Sequence, residues 1–294
     1  MYTKGLSEDG NTLTLTKFSG AFKLANDPSD EWLALNHAEI RTGLAVDVET
    51  TGFDHTTDKI IEIGVRQFKF DRRTGHIVKM GEAYSGFQDP GEPLTEAIKK
   101  VTGLSDEILK SKKIDWDQVS KLFETSDIVI AHNAAFDRSF IEQMISTSAQ
   151  KIWACSCYQM DWLSKGFVGK SLVLLGIYHG FFYESHRALN DVDALLHLLT
   201  LEDRVTAKPY LYELLGEAKV PLVQINAMSS PFERKNLLKK RGYRWNEVSK
   251  VWFCIIKDSL KEEEIKWLEE KVYQRAFPGL VREIRRCDNF KVLS

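Results

Sequence analysis

The chain has 294 residues, of which 43% are hydrophobic and 11% aromatic, and its formal net charge is −2. This length suits about two domains at roughly 100–200 residues each, and the composition excludes an intrinsically disordered chain. No apolar run approaches the roughly 18 residues that a membrane helix requires, and no signal peptide opens the chain, so we expect a cytoplasmic protein.

Residues 1–43 form an N-terminal extension with a weak pattern, in which we expect a short strand at 12–17 and a helix at 30–41. From residue 44 onward, apolar runs and helical periodicity give clearer predictions. Strands are expected at 44–48, 60–70, 77–87, 127–131 and 151–155, and helices at 95–101, 115–123, 136–146, 171–178 and 188–201. Three strands followed by alternating helices and strands predict an α/β domain over residues 44–201, with a mixed β-sheet flanked by helices.

Residues 202–221 are interpreted as a linker that contains a helix at 210–217, between Pro209 and Pro221. The remaining residues, 222–294, predict a small basic and aromatic α+β accessory domain. Its expected strands lie at 223–227, 243–245 and 251–256, and its expected helices at 232–241 and 259–273.

The four cysteines fit a reducing compartment. Cys155 and Cys157 form only a C-x-C pair, and Cys254 and Cys287 lie far from them. Ordinary core positions therefore explain the cysteines better than a zinc site does.

Three short acidic blocks follow one another in the chain: Asp47-Val48-Glu49-Thr50-Thr51-Gly52, His132-Asn133-Ala134-Ala135-Phe136-Asp137 and His186-Arg187-Ala188-Leu189-Asn190-Asp191. Alternate residues of a strand point the same way, so Asp47 and Glu49 project together. Mg²⁺ prefers oxygen ligands, and two divalent ions about 3.5–4 Å apart can stabilise both the attacking and the leaving oxygen of a phosphoryl displacement. The predicted ligands of two ions, Mg²⁺ or Mn²⁺, are Asp47, Glu49, Asp137 and Asp191.

His186 lies five residues before Asp191, just ahead of a predicted helix. A loop histidine there can accept a proton from the attacking water, and a reference pKa of about 6.5 suits that role. The turn formed by Thr50, Thr51 and Gly52 would let backbone amides approach a terminal nucleotide, because Gly52 adds no side chain.

Several other positions keep two interpretations. Phe53 and Leu104 either contact bases or pack within the protein. His132 and Asn133 are expected to brace their loop, although Asn133 is also a candidate substrate contact. Asp193 is interpreted as surface charge.

The three blocks resemble the motifs of the DEDDh 3′–5′ exonucleases, the superfamily of the proofreading epsilon subunit of bacterial DNA polymerase III. The resemblance covers roughly residues 43–201, and the order, spacing and residue types of the blocks agree. It implies an RNase H-like fold, and it makes the four carboxylates the metal ligands and His186 the general base. Looser likeness at 153–156, 161–162 and 180–183 resembles a stand-alone bacterial subgroup.

The region 224–260 has eight Lys and Arg residues against three acids, interleaved with aromatic residues. Basic side chains can neutralise phosphates, and exposed aromatic side chains can stack on unpaired bases. We interpret Trp245 and Trp252 as core residues. That interpretation is compatible with a nucleic-acid grip by a basic face that contains Lys239, Lys240 and Arg241.

The expected function is that of a metal-dependent 3′–5′ exonuclease that releases nucleoside 5′-monophosphates from single-stranded or frayed DNA. One alternative is an exoribonuclease that trims RNA, since the contacts to the 2′-hydroxyl that distinguish the sugars cannot be placed. The other is a binding subunit of a polymerase or repair complex. The expected partners are therefore nucleic-acid 3′ ends, DNA first, and such a complex.

Overall fold

The computed structural model describes residues 4–22, 24 and 28–291. Contacts between residues divide the chain into two compact units, Met1–Ala218 and Lys219–Ser294. None of the described helices is both long enough and apolar enough to cross a membrane.

The first unit contains seven strands and eight α-helices within its described residues. The strands are β1 (Thr16–Lys17), β2 (Ile40–Thr50), β3 (Ile60–Asp71), β4 (Ile77–Phe87), β5 (Ile128–Ala131), β6 (Ile152–Cys155) and β7 (Phe181–Phe182). The helices are α1 (Asp30–Leu35), α2 (Glu96–Thr102), α3 (Asp106–Leu109), α4 (Trp116–Glu124), α5 (Ala134–Met144), α6 (Leu172–Tyr178), α7 (Ala188–Thr200) and α8 (Tyr210–Glu217).

The main sheet has the strand order β4-β3-β2-β5-β6. The first three strands pair antiparallel, whereas β5 and β6 run parallel to β2. All four residues of β5 are buried, as expected for a central strand that helices cover on both faces. The predicted α/β class, with a mixed sheet flanked by helices, is confirmed.

The N-terminal extension differs from its prediction. The helix ends at Leu35 instead of continuing to residue 41, because Ile40 already pairs with Asp71 at the start of the β2–β3 ladder. The predicted strand at 12–17 is reduced to β1, which pairs parallel with β7.

The segment expected as a linker contributes to the core of the first unit. Helix α8 has the predicted bounds, and it buries four side chains of one face: Tyr210, Leu211, Leu214 and Leu215. Its apolar face packs against α7 and β6. The boundary between the units therefore falls after Ala218, later than the predicted domain end at 201.

The second unit has a four-stranded antiparallel sheet with the order β11-β8-β10-β9. Its elements are β8 (Leu222–Ala227), α9 (Lys235–Lys240), β9 (Arg244–Asn246), β10 (Val251–Lys257), α10 (Lys261–Trp267), which continues as a π-helical segment (Leu268–Tyr273), and β11 (Leu280–Ile284). The sequence predicts all of these except β11, whose short run contains two charged residues.

The core of this unit lies between one face of the sheet and its helices, and it includes Val223, Ile225, Leu238, Leu268 and Val272. Trp252 packs against this core, as predicted. Trp245 lies beside Trp252, with ring centroids 5.6 Å apart, but 39% of its surface is exposed at the edge strand.

Candidate metal centre

Three carboxylates from two elements meet at one point of the first unit. Asp47 and Glu49 are alternate residues of β2, and Asp191 lies in the first turn of α7. One oxygen atom from each of the three lies within 4.8 Å of the other two. The spacing on the strand and the start of the helix thus produce a cluster that fits a cation.

A glycine makes this convergence geometrically feasible. Gly64 on β3 is the cross-strand partner of Asp47. A Cβ atom at Gly64 would collide with the backbone of Ala188 and Leu189. Only a residue without a side chain therefore lets the start of α7, and with it Asp191, approach the sheet so closely.

Asp137 lies beside the three-carboxylate cluster. It is 2% exposed and sits in the first turn of α5. Its Oδ1 accepts a 3.1 Å hydrogen bond from the backbone N–H of Val48, the residue between Asp47 and Glu49. The structure therefore brings all four predicted carboxylates to the same end of β2.

The electrostatics of the cluster favour a bound cation. Burial, followed by repulsion from Asp137 and Asp191, raises the pKa of Asp47 well above its usual value. Burial and the charge of Asp191 raise the pKa of Glu49 to about 7. Burial is also the main cause of the raised pKa of Asp137 and Asp191. Several buried carboxylates without a nearby cation are costly, and oxygen-preferring divalent ions relieve that cost.

Both oxygens of Asp191 have protein partners. The hydroxyl of Tyr183 donates a 2.7 Å hydrogen bond to Oδ1. The backbone N–H groups of His186 and Arg187 donate to Oδ2, at 2.8 and 3.2 Å. Sequence reasoning missed Tyr183, because an aromatic residue after a short apolar run looks like an ordinary core position.

His186 has an exposed side chain next to this cluster. Its φ of 63° lies in the left-handed region, which is uncommon for a residue other than glycine. The two hydrogen bonds that Asp191 accepts from the His186 and Arg187 amides hold this conformation. The imidazole is therefore tethered beside the carboxylates while its ring stays in contact with solvent.

A fifth carboxylate, Glu62, lies behind the cluster and was also missed. It is 1% exposed, it is the cross-strand partner of Glu49, and both of its oxygens lie 3.3 Å from Nε of Arg187. Burial raises the pKa of Glu62 even though Arg187 opposes the shift. A glutamate inside the apolar run of β3 was the sequence signal that could have revealed it.

The turn after Glu49 is organised by Asp58. Thr51 donates a 3.1 Å hydrogen bond to Asp58 Oδ1, and a Cβ at Gly52 would collide with the same carboxylate. The side chain of Thr50 is buried and its hydroxyl donates to the Gly52 carbonyl. Phe53 is 90% exposed, and its ring centroid lies 6.2 Å from that of Phe136. The ring of Phe53 is thus exposed and can stack against an aromatic ring of a bound molecule.

The other residues considered as substrate contacts or loop braces differ in exposure and in hydrogen bonding. Asn133 is exposed, with a left-handed φ of 93°, at the start of α5. His132 is bound on both ring nitrogens, at 2.8 Å each, by Ser156 Oγ and the Lys170 carbonyl, so it braces the loop. Leu104 is only 2% exposed and packs in a small apolar cluster, so its side chain does not reach solvent.

Asp193 does not lie on the surface as the sequence suggested. It is 7% exposed, and Arg66 donates two hydrogen bonds to its carboxylate, at 2.5 and 2.9 Å. Two residues along a helix turn the side chain about 200° away from Asp191. That direction places it against β3, where Arg66 pairs with it.

Three of the four cysteines occupy core positions, as expected, and Cys287 is partly exposed. All four are free thiols, and Cys155, Cys157 and Cys254 are buried. Within the described part of the chain, the carboxylate cluster is the one group of three or more residues with metal-ligand spacing.

Comparison with known proteins places this site in a family. The sequence profile of the Exonuclease family matches residues 44–199. Over 117 residues the chain is 38% identical to the DNA polymerase III PolC-type of Listeria monocytogenes. The matched region is 38% of this chain and 7% of that protein. The chain is 37% identical over 98 residues to the corresponding polymerase of Halalkalibacterium halodurans, covering 32% and 6%. The chain spans less than a tenth of the length of these curated relatives.

Two solved structures show a partial likeness to this chain at low sequence identity. One is E. coli exonuclease I in complex with a dA16 oligonucleotide, with a TM-score of 0.49 and 14% identity over 74% of this chain and 63% of that chain. The other is exonuclease X in complex with 5′-overhanging duplex DNA, with a TM-score of 0.40 and 22% identity over 53% and 89%. The family profile covers more than half of the sequence and includes all three acidic blocks. The chain therefore belongs to the Exonuclease family, and its first unit contains a nuclease domain built on a mixed sheet flanked by helices.

Proposed function

We propose that the protein is a metal-dependent 3′–5′ exonuclease that releases nucleoside 5′-monophosphates from single-stranded or frayed DNA. One observation carries this proposal: the carboxylates of Asp47, Glu49 and Asp191 converge within 4.8 Å in a chain of the Exonuclease family. A cluster of half-buried acids with raised pKa values has no evident structural benefit, whereas it suits cation-assisted phosphodiester hydrolysis.

The proposed metal ligands are Asp47, Glu49, Asp137 and Asp191. Family membership implies the use of divalent metal ions, and either Mg²⁺ or Mn²⁺ fits the all-oxygen ligand set. When bound, a pair of such ions stabilises the charges on the attacking and leaving oxygens of the displacement. The hydrogen bonds from Tyr183 and the Val48 amide hold two of the ligands, Asp191 and Asp137, in place.

His186 is the proposed general base. Its exposed ring lies at the mouth of the cluster, and the backbone contact with Asp191 fixes the position from which it moves. There the imidazole can take the proton of the attacking water. Transfer to solvent then restores the neutral ring for the next cycle.

The terminal nucleotide would occupy the space between the turn at 50–53 and the start of α5. Phe53 and Phe136 offer aromatic faces, the turn at Thr51 and Gly52 offers backbone amides, and Asn133 offers a side-chain amide. DNA is favoured over RNA because the relatives that match this region are DNA polymerases. A polymerase or repair complex is the corresponding partner.

Strand polarity is tested with oligonucleotides that carry a non-hydrolysable linkage at one end. A phosphorothioate block at the 3′ end should stop degradation, whereas the same block at the 5′ end should leave the initial rate unchanged. The reverse result would exclude 3′–5′ polarity. Degradation of RNA but not DNA of matched sequence would replace the substrate in this proposal.

A further inference from the structure

The sheet of the second unit has one covered face and one open face. The side chains of Val223, Ile225 and Ala227 alternate along β8 into the core beneath the helices. Their neighbours Gln224 and Asn226 therefore point to the opposite face. The strand register extends this open face across the sheet; it comprises Leu222, Gln224, Asn226, Arg244, Asn246, Val251, Phe253, Ile255, Lys257, Leu280, Arg282 and Ile284.

The open face carries positive charge and no carboxylate. Its ionisable strand residues are Arg244, Lys257 and Arg282. Within the described part of the chain, neither Arg244 nor Arg282 has a carboxylate within salt-bridge distance. Arg244 lies over the ring of Phe253, with its guanidinium carbon 5.1 Å from the ring centroid, and both arginine side chains are exposed.

A groove of about 430 Å³ follows this face. Its lining combines amides (Gln224, Asn226 and Asn246), apolar side chains (Met228, Val251 and Leu280) and the guanidinium of Arg282. Two acids also line the groove. Asp288 accepts hydrogen bonds from both Arg285 and Lys291, at 2.6 and 2.8 Å, and is thereby neutralised. Glu283 pairs in register with Val223, a residue of the covered face, so its strand position belongs to that face and not to the open one. The groove therefore offers cations, amides and apolar contacts together.

Charge is also divided unevenly along the chain. Residues 219–294 contain 17 Lys and Arg against ten Asp and Glu, a net charge of +7, although the whole chain has −2. Five of these ten acids lie in 262–270, on the helices that cover the other face of the sheet. The open face is thus electrostatically complementary to a polyanion.

We propose that the open face of this sheet binds single-stranded DNA. Arg244 and Arg282 would contact phosphates, while the amides and apolar side chains of the groove would contact unpaired bases. Contacts between cationic side chains and the phosphate backbone hold a nucleic-acid strand without regard to its sequence. The inference rests on the proposed function, which supplies single-stranded DNA as the substrate of the same chain. An acidic peptide also matches the charge, and the competition experiment below distinguishes it from DNA.

The test compares two double variants of the full chain. Arg244→Ala with Arg282→Ala removes two cations from the open face, whereas Lys266→Ala with Lys271→Ala removes two exposed cations from the helical face. Affinity for a labelled oligothymidylate of about 16 nucleotides is measured by fluorescence anisotropy. EDTA is present throughout, so that binding is measured without hydrolysis.

The open-face variant should bind the oligothymidylate at least about tenfold more weakly at low salt. The slope of the logarithm of its association constant against the logarithm of the salt concentration should become shallower by about 0.7 for each lost phosphate contact. The helical-face variant should match the wild type. Equal binding by all three proteins, or equal weakening in both variants, would overturn the proposal. So would displacement of the DNA by polyglutamate at equal charge concentration, which would indicate an acidic protein partner.

Two further measurements keep the result interpretable. Arg282→Ala alone leaves the Arg244–Phe253 contact intact, so it tests the face if the double variant unfolds at a lower temperature. Hydrolysis of the p-nitrophenyl ester of thymidine 5′-monophosphate needs the carboxylate cluster but no extended strand. Loss of strand binding with normal hydrolysis of this ester is the expected pattern. An ester that even the wild type leaves intact would count against the proposed function and not against DNA binding.

Discussion

The hydroxyl of Tyr183 donates a 2.7 Å hydrogen bond to Oδ1 of Asp191, the acidic residue in the first turn of α7. Since backbone amides occupy Oδ2, this contact fixes the rotation of the carboxylate about its Cβ–Cγ bond. A carboxylate whose orientation is fixed before the metal binds loses less conformational freedom on binding, so metal affinity is higher.

Replacing Tyr183 with Phe removes this hydrogen bond and keeps the ring. We expect hydrolysis to slow by roughly 10- to 100-fold, together with weaker metal affinity, because groups that orient ligands typically have effects of that size. Rates measured across a Mn²⁺ titration check this expectation. Tyr158→Phe changes an exposed tyrosine and should have no effect. Equal rates for both variants would show that Asp191 needs no such support.

His186→Ala should lower the rate constant of hydrolysis by about 10²–10⁴-fold, the usual contribution of a general base. Binding of single-stranded DNA in EDTA should change little, because the side chain is exposed and only its backbone contacts Asp191. His76→Ala, in the turn between β3 and β4, serves as the control. A defect in binding without a defect in turnover would contradict the role assigned to His186.

Gly64→Ala should destabilise the first unit, because the new Cβ collides with the backbone at Ala188 and Leu189. Overpacking of this kind costs about 1–3 kcal/mol, and displacement of α7 should also reduce hydrolysis. The matched control is Gly216→Ala in α8, where a Cβ meets no atom within 4 Å and helix propensity improves. Urea unfolding compares the free energies of unfolding of the two variants. Equal values would show that α7 can shift to accept the new Cβ without loss of stability.

Two histidines make stability depend on pH. Burial lowers the pKa of His132 and of His197 to about 4, below the value of 6.5 expected for an unfolded chain. Between these values the unfolded state takes up protons that the folded state does not. The contribution of these residues is therefore complete above about pH 6.5, and it is lost as the pH falls toward 4.

His197→Phe tests this dependence and keeps an aromatic ring between Phe18 and Phe181. The difference in unfolding free energy between variant and wild type should shift in favour of the variant as the pH falls from about 7 to about 4.5. Comparing the two proteins cancels the carboxylate cluster, whose raised pKa values have the opposite effect on stability. A pH-independent difference would mean that His197 accepts a proton in the folded state.

The sequence predicts the parts of the site that depend on local pattern. Asp47 and Glu49 share a strand face, and the bounds of β4 and α8 are predicted without error. The partners Tyr183 and Glu62 escape prediction because their roles come from contacts with elements distant in the chain. Arg66 and Asp193 are separated by 127 positions, so no local pattern could pair them. Likewise, the sequence alone predicts α8 as part of a linker. Only the packing of its apolar face against α7 in the structure shows that it belongs to the core.

The substrate candidates show the same limit. From the sequence, Phe53 and Leu104 are equally good candidates for contacts to bases, since each follows a glycine in a short turn. The structure separates them by exposure, 90% against 2%. Burial of Leu104 results from packing against Ile61, Leu94 and Leu109, which come from three different segments.

Degradation of 5′-labelled single-stranded DNA by the wild type and by Asp137→Asn is the most direct test of the central claim. The substitution keeps the size of the side chain and an oxygen that can accept the Val48 hydrogen bond, so the fold should survive. With Mg²⁺ or Mn²⁺ the wild type should produce a ladder that shortens from the 3′ end, and both EDTA and Asp137→Asn should abolish it. A ladder of equal intensity from folded Asp137→Asn, or one that persists in EDTA, would contradict metal-dependent catalysis at this carboxylate cluster.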